Sequence, residues 1–415
     1  MNTTTCKWVL GPIVALCLAL WLAMSAVAQD PFSGLARLDV AQSQVRDAGD
    51  GLNVTLYLSQ PVPFRVFTLD DPRRLVLDFR EVDWRGASRA GLLNADNATD
   101  LRFGVLRPGW SRLVIDLAAP LLIDRAGMVV DQVVGTATVS VTLTPGTAAD
   151  YASRSGAPPD PDWTPAPAPA AVSQPLPEDP DRPLTVVIDP GHGGIDPGAD
   201  RDGMVEKEVM LQLGLELAEA LDRTEGVQAI LTRSTDVFVP LADRMSIARA
   251  AGADLFISLH ADALDADAAT GASVYTLTQD AVDQASERMA ERHDRGDLLA
   301  GVDLSGADDT VATVLMDLAR LETAPRADRF ADDLVQGLED AGAGVNRNPR
   351  RTAPLAVLNA ADFPSVLLEV GFLSSERDRA ALATAQGRAR IVAGIVAAIG
   401  QWAAAEEVRA PLVRQ

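Results

Sequence analysis

Residues 184–199 read Leu-Thr-Val-Val-Ile-Asp-Pro-Gly-His-Gly-Gly-Ile-Asp-Pro-Gly-Ala, and no other stretch of the chain constrains its fold as tightly. A β-branched apolar run stops abruptly in a Pro/Gly loop that presents one imidazole, His192. Strands buried on both faces have this composition, and open α/β sheets hold their ligands at the carboxyl ends of such strands. The run Asp254-Leu-Phe-Ile-Ser-Leu-His260 repeats the layout. The chain contains only three histidines, His192, His260 and His293, so two at strand ends point to a metal site.

A hydrolytic zinc site needs three protein ligands and an open position for water. His192 and His260 supply two, and the best third is Glu206. Met204-Val-Glu-Lys-Glu-Val-Met210 opens an amphipathic helix soon after the His192 loop, and a carboxylate in that first turn points back at the loop. The same charge also serves simply to offset the helix dipole. Glu208 faces a different side of the helix. Water activated at such a site needs a base. Glu369 ends the apolar run Pro364-Ser-Val-Leu-Leu-Glu369, where a carboxylate is costly unless it has a task or a partner.

Around these residues, strands alternate with helical patterns. Strands are predicted at 184–189, 227–232, 254–259, 272–277 and 365–370, and helices at 205–222, 242–250, 326–341 and 387–404. This predicts an α/β catalytic domain, residues 184–405, with a twisted, mostly parallel sheet flanked by helices. A charged, helix-prone insertion, 278–325, interrupts it. Residues 32–145 alternate with period two, as in Leu52-Asn-Val-Thr-Leu-Tyr-Leu58 and Arg112-Leu-Val-Ile-Asp-Leu117, with turns between, which predicts a small all-β sandwich. Residues 146–183 hold ten prolines between Pro158 and Pro183 and read as a semi-extended linker.

At the amino terminus, Lys7, an apolar run from Trp8 and Ala26-Val-Ala28 read as a cleavable secretory signal, residues 1–28. An uncleaved anchor is the alternative, because the run is nearly long enough to span a bilayer. Both cysteines, Cys6 and Cys17, lie in that segment, so a cleaved chain has no thiol for a disulfide or a nucleophile. No second stretch reads as a membrane span. With 58 acids against 36 bases the net charge is −22, which argues against nucleic acid or anionic lipid as a partner through bulk electrostatics.

Four motifs in order, Asp189-Pro-Gly-His-Gly-Gly194, Glu206-Lys207, Ser258-Leu-His-Ala-Asp262 and Leu368-Glu-Val-Gly-Phe-Leu373, carry a resemblance. The chain resembles the zinc-dependent N-acetylmuramoyl-L-alanine amidases of the amidase type 3 family with an N-terminal AMIN domain, over nearly its whole mature length. The resemblance implies one Zn²⁺ per chain held by His192, Glu206 and His260, with Glu369 as catalytic acid/base. It implies hydrolysis of the amide between the lactyl group of N-acetylmuramic acid and L-alanine of the peptidoglycan stem peptide, in wall remodelling and daughter-cell separation. It also implies a periplasmic location, targeting to the wall by the AMIN-like domain, and supporting roles for Arg233 and Arg244.

The insertion matches the family's regulatory segment, in which a helix places a glutamate on the zinc until an activator with a LytM-type domain pulls it away. Here ungapped matching back from Asp297-Leu-Leu puts His293 at that position, a departure that makes His293 the candidate lock. A solvated helix histidine is the plain alternative, and Glu291 or Asp297 would serve in a shifted register. The apolar residues Val311, Val314, Leu315 and Leu318 would dock the activator or pack the helix on its own domain. Ser375 stands where relatives often carry Asn, a change expected to tune a loop. Two other functions fit the composition: a non-catalytic wall-binding scaffold, and a zinc peptidase or deacetylase acting on another wall amide.

Overall fold

A computed structural model describes residues 35–158 and 182–413, apart from 81, 108, 264–268, 279–289, 291–292, 294–309 and 361. The expected signal segment and residues 159–181 of the expected linker lie outside the described residues, as do Glu291 and Asp297 and the side chains of Val311, Val314, Leu315 and Leu318.

The first half of the chain forms β1 (Ala36–Arg37), β2 (Gln44–Ala48), β3 (Gly51–Leu58), β4 (Phe64–Leu69), β5 (Arg74–Arg80), β6 (Val82–Asp83), α1 (Arg89–Leu92), β7 (Leu93–Asn94), β8 (Ala98–Arg107), β9 (Trp110–Leu117), β10 (Leu121–Val130), β11 (Ala137–Pro145) and α2 (Ala148–Arg154). One sheet has the order β10-β11-β3-β2-β7, the other β4-β5-β9-β8. Period-two alternation sends Leu52, Val54, Leu56 and Leu58 of β3, Leu75, Leu77 and Phe79 of β5, and Leu113 and Ile115 of β9 into one shared core. Each such side chain contributes about 1.5–3 kcal/mol by burial.

Helix α2 lies where the sequence reads as the start of the linker. Thr147 caps it, accepting from the Asp150 amide at 3.0 Å. Tyr151 is fully buried, with its hydroxyl 3.0 Å from the Leu69 carbonyl. The ring offers enough apolar surface to fold this segment onto the sandwich, and the prolines that prevent such packing begin only at Pro158.

The second half forms β12 (Leu184–Pro190), β13 (Asp200–Arg201), β14 (Met204–Val205), α3 (Glu206–Asp222), β15 (Val227–Leu231), α4 (Leu241–Ala251), β16 (Leu255–His260), β17 (Ala272–Leu277), α5 (Thr310–Asp340), β18 (Val345–Ala353), β19 (Ser365–Glu369), α6 (Glu376–Leu382) and α7 (Ala385–Val413). The six-stranded mixed sheet has the order β15-β12-β16-β19-β17-β18. β15, β12, β16 and β19 are parallel neighbours, whereas β17 runs antiparallel to β19 and parallel to β18.

Both faces of the sheet's centre are covered, which is why β12, β16 and β19 are buried and largely apolar rather than alternating. Val186, Ile188, Leu255 and Ile257 face α3, α5 and α7, meeting Leu217, Phe330, Leu334, Ile395 and Trp402. The intervening Val187, Phe256 and Leu367 face Met245 of α4 with Leu355, Phe363 and Phe372. β18 was not expected. It reads Val-Asn-Arg-Asn-Pro-Arg-Arg-Thr-Ala and sits at the sheet edge, where a strand needs neither apolar alternation nor a second ladder. Ala385–Arg409 is long and apolar enough to cross a membrane by length and composition, against the expectation of no second span. Its Ile395, Ile399 and Trp402 are instead in the core.

Candidate metal centre

Because β12, β16 and β19 run parallel, their carboxyl ends meet at one sheet edge. His192 follows the end of β12, His260 closes β16, and Glu369 closes β19 directly opposite His260 in register. His192 has a left-handed backbone, φ +59°. That conformation costs a residue with a β-carbon about 1–2 kcal/mol. It is held by Arg244, whose Nη2 donates to the His192 carbonyl at 3.0 Å, and by Asp196, whose Oδ2 lies 2.8 Å from Nδ1.

Glu206, the first residue of α3, bridges the two strand-end histidines. Its Oε1 lies 3.1 Å from His260 Nδ1 and accepts from the Ala261 amide at 2.9 Å. Its Oε2 lies 3.2 Å from His192 Nε2 and accepts from the Ala199 amide at 2.9 Å. Burial opposes its ionised form, but His192 and His260 beside it hold the carboxyl well below its ordinary range. Gly198 keeps the pocket open, since a β-carbon there would stand 2.6 Å from Glu206 Oε2.

These residues fit a zinc ion. The buried Nε2 of His192 makes no other hydrogen bond and lies 3.2 Å from Glu206 Oε2. Donor atoms about 2.1 Å from an ion at tetrahedral angles stand about 3.4 Å apart, close to the separations of Glu206 from both imidazoles. Burial, together with His293 and His192 nearby, pushes His260 down to about 3, whereas Asp196 and Glu206 raise His192 well above its ordinary value against the effect of burial.

His293 enters the same pocket. The donor nitrogens of His192, His260 and His293 lie within 4.8 Å of one another, a group that could hold a metal ion. The His293 ring is buried, 4.2 Å from that of His260 between centres, and its Nε2 lies 3.2 Å from Glu369 Oε1. Glu369 is fully buried and accepts from the Asp262 amide at 3.0 Å. Burial pushes its carboxyl up to about 7, against the opposing pull of His293.

Sequence reading expected Arg233 and Arg244 in supporting roles but missed the partners that complete the frame beneath these residues. Asp189 is fully buried and binds Arg244 Nη1 at 2.9 Å, Thr232 Oγ1 at 2.6 Å and Ser258 Oγ at 2.7 Å. Arg233 donates to the carbonyls of Pro190, Gly191 and Lys207. Both arginines, expected in supporting roles, are buried braces of the histidine loop. Lys207 joins the Gly194 carbonyl to Asp236, and Asp236 accepts from the Gly194 amide. Asp196 carried one legible signal, a carboxylate four residues beyond a histidine in the same tight loop. Ser375 caps α6, accepting from the Asp378 amide at 3.3 Å, and donates to Thr270, so it fixes the loop after Glu369.

Residues 186–401 match the N-acetylmuramoyl-L-alanine amidase family and residues 43–137 the AMIN domain. The N-acetylmuramoyl-L-alanine amidase AmiA of Escherichia coli (strain K12) is 37% identical over 212 residues, 51% of this chain and 73% of the relative. AmiC of Escherichia coli O6:H1 is 28% identical over 397 residues, 92% of each chain. AmiC of Neisseria meningitidis serogroup B is 31% identical over 379 residues, 84% of this chain and 86% of the relative. The chain belongs to the N-acetylmuramoyl-L-alanine amidase family and carries an AMIN domain ahead of its amidase domain.

Proposed function

We propose that this chain is a zinc-dependent peptidoglycan amidase that cleaves the amide between the lactyl group of N-acetylmuramic acid and L-alanine of the stem peptide. The observation that carries this reading is the bridging of His192 and His260 by Glu206, with Glu369 opposite His260 at the same sheet edge.

His192 Nε2, Glu206 and His260 Nδ1 would hold the ion, which when bound supplies Lewis-acid polarisation of the scissile carbonyl and acidifies water. Asp196 fixes the tautomer and orientation of His192 through Nδ1. Glu369 takes the proton from the attacking water and returns it to the leaving amine. A carboxyl raised by burial to about 7 is suited to both transfers near neutral pH. The Asp262 amide holds that carboxyl in place.

His293 is the lock of the resting enzyme. Its hydrogen bond with Glu369 occupies the base, and its position among His192 and His260 fills the space a substrate carbonyl needs. The insertion 278–325 that carries it is the docking site for a LytM-domain activator. The AMIN domain directs the enzyme to peptidoglycan, and the amino-terminal signal sends it to the periplasm, where it acts in daughter-cell separation.

Mass spectrometry of soluble products from purified sacculi tests the reaction. Stem peptides beginning with a free L-alanine amine are expected from zinc-loaded His293→Ala protein. Fragments cut within the peptide, or acetate, would replace this reading with a peptidase or a deacetylase.

A further inference from the structure

Ser273 on β17 is completely buried, and its Oγ has no hydrogen-bond partner. A buried hydroxyl left unpaired is costly, so its presence in an otherwise apolar strand calls for a physical reason. The packing around it offers none. Tyr275, Leu367 and Phe256, which share its sheet face, belong to an apolar cluster. The β17–β18 ladder slips between Ala272 and Val274, so no β18 residue stands opposite Ser273 in register.

Its register partner is Glu369, on antiparallel β19. Glu369 in turn stands opposite His260 on β16, so Ser273, Glu369 and His260 form one row across three strands. Directly opposed residues send their side chains to the same face, with β-carbons about 4.5–5.5 Å apart. A glutamate that leans across that gap brings its carboxylate within hydrogen-bond reach of a serine hydroxyl. The row is braced at its open end by Asp378. That carboxylate accepts from Thr270 Oγ1 at 3.0 Å, the Gly271 amide at 2.8 Å and the Phe372 amide at 3.0 Å, which ties the start of β17 to the end of β19.

In the resting arrangement both oxygens of Glu369 are engaged elsewhere. Oε2 accepts from the Asp262 amide, and Oε1 lies 3.2 Å from His293 Nε2. Departure of His293 would leave Oε1 fully buried and short of a donor. Directly across the ladder stands a buried donor short of an acceptor. Each group answers the other's unmet bond.

We propose that Ser273 is a positioning residue for the acid/base, its hydroxyl donating to Glu369 Oε1 once His293 has left. This deepens the amidase reading and rests on it. The Asp262 amide on Oε2 and Ser273 on Oε1 then hold the carboxylate from two sides, and the remaining lone pairs face the water and the leaving amine. Ser273 acts through Glu369 and not on the substrate. Because its bond is unmade in the resting state and made in the open one, the same hydroxyl also favours release of the lock.

Thermal unfolding and kinetics of full zinc-loaded chains test this in two backgrounds, with His293 present and with His293→Ala. With His293 present, Ser273→Ala removes only an unpartnered hydroxyl, and Tm should hold or rise. In the His293→Ala chain it removes a bond that has formed, and Tm should fall by about 2–4 °C. There kcat on a soluble muramoyl pentapeptide should drop about tenfold, the scale of one hydrogen bond to a charged group, with KM and zinc content unchanged. Ser273→Cys keeps the shape but donates weakly, so it should reproduce the drop in kcat without leaving a cavity. An equal loss of Tm in both backgrounds makes Ser273 a packing residue and overturns the proposal. An unchanged kcat does the same, as does loss of zinc together with the hydroxyl. If the His293→Ala chain releases no peptides beginning with L-alanine, the amidase reading falls, and the Tm difference between backgrounds still decides the Ser273 bond.

Discussion

His293 Nε2 stands 3.2 Å from Glu369 Oε1, so the one histidine outside the two strand ends is hydrogen-bonded to the one carboxylate at the end of β19. Removing that imidazole frees Glu369 and opens the space over His260. His293→Ala should raise basal release of stem peptides from sacculi by roughly tenfold, the equivalent of one net hydrogen bond to a charged group. Unchanged basal release would show that His293 is not a lock.

Asp196 orients His192 through Nδ1 at 2.8 Å. Asp196→Asn should therefore weaken zinc by about 10- to 100-fold, read by competition with a chromogenic chelator. Glu206→Gln should do more, because it removes the proposed carboxylate ligand that lies between the two imidazoles. Chelation of the wild-type protein should abolish turnover and added zinc should restore it; activity that survives complete zinc removal would exclude the metal mechanism.

Glu369 touches neither His192 nor Glu206 in the hydrogen-bond network, so its loss separates proton transfer from metal binding. Glu369→Gln should keep one zinc per chain while kcat falls by about 10²–10⁴-fold. Loss of zinc in parallel with activity would make Glu369 part of the metal site instead.

Tyr151 tests the sandwich extension. Burial pushes its hydroxyl up to about 12 from the ordinary 10, so the folded state holds the proton more tightly than the unfolded chain. Its stabilisation is fully present below pH 10 and is lost as pH rises from 10 through 12. Tyr151→Phe should lower stability at neutral pH by about 1 kcal/mol through the lost hydrogen bond. It should also flatten the fall in Tm above pH 10, and an unchanged alkaline slope would place the titrating group elsewhere.

The strand-end residues were legible in the sequence because burial on both sheet faces forces an apolar run, and a polar side chain that interrupts it stands out. Local chemistry alone therefore marked His192, His260 and Glu369, and a helix start marked Glu206. The same logic failed for β18, whose Asn, Arg and Pro residues suit an edge strand but advertise nothing. It failed for α2, where one buried tyrosine outweighed a polar neighbourhood. Only the tertiary structure could put Asp189 beneath Arg244, Asp196 behind His192, and His293 against Glu369 across 76 residues. Sequence patterns report how each segment meets water, so they name the strand ends; which of those ends face one another is set by strand order and parallel register, and by that pairing alone the scattered acids and histidines become one site.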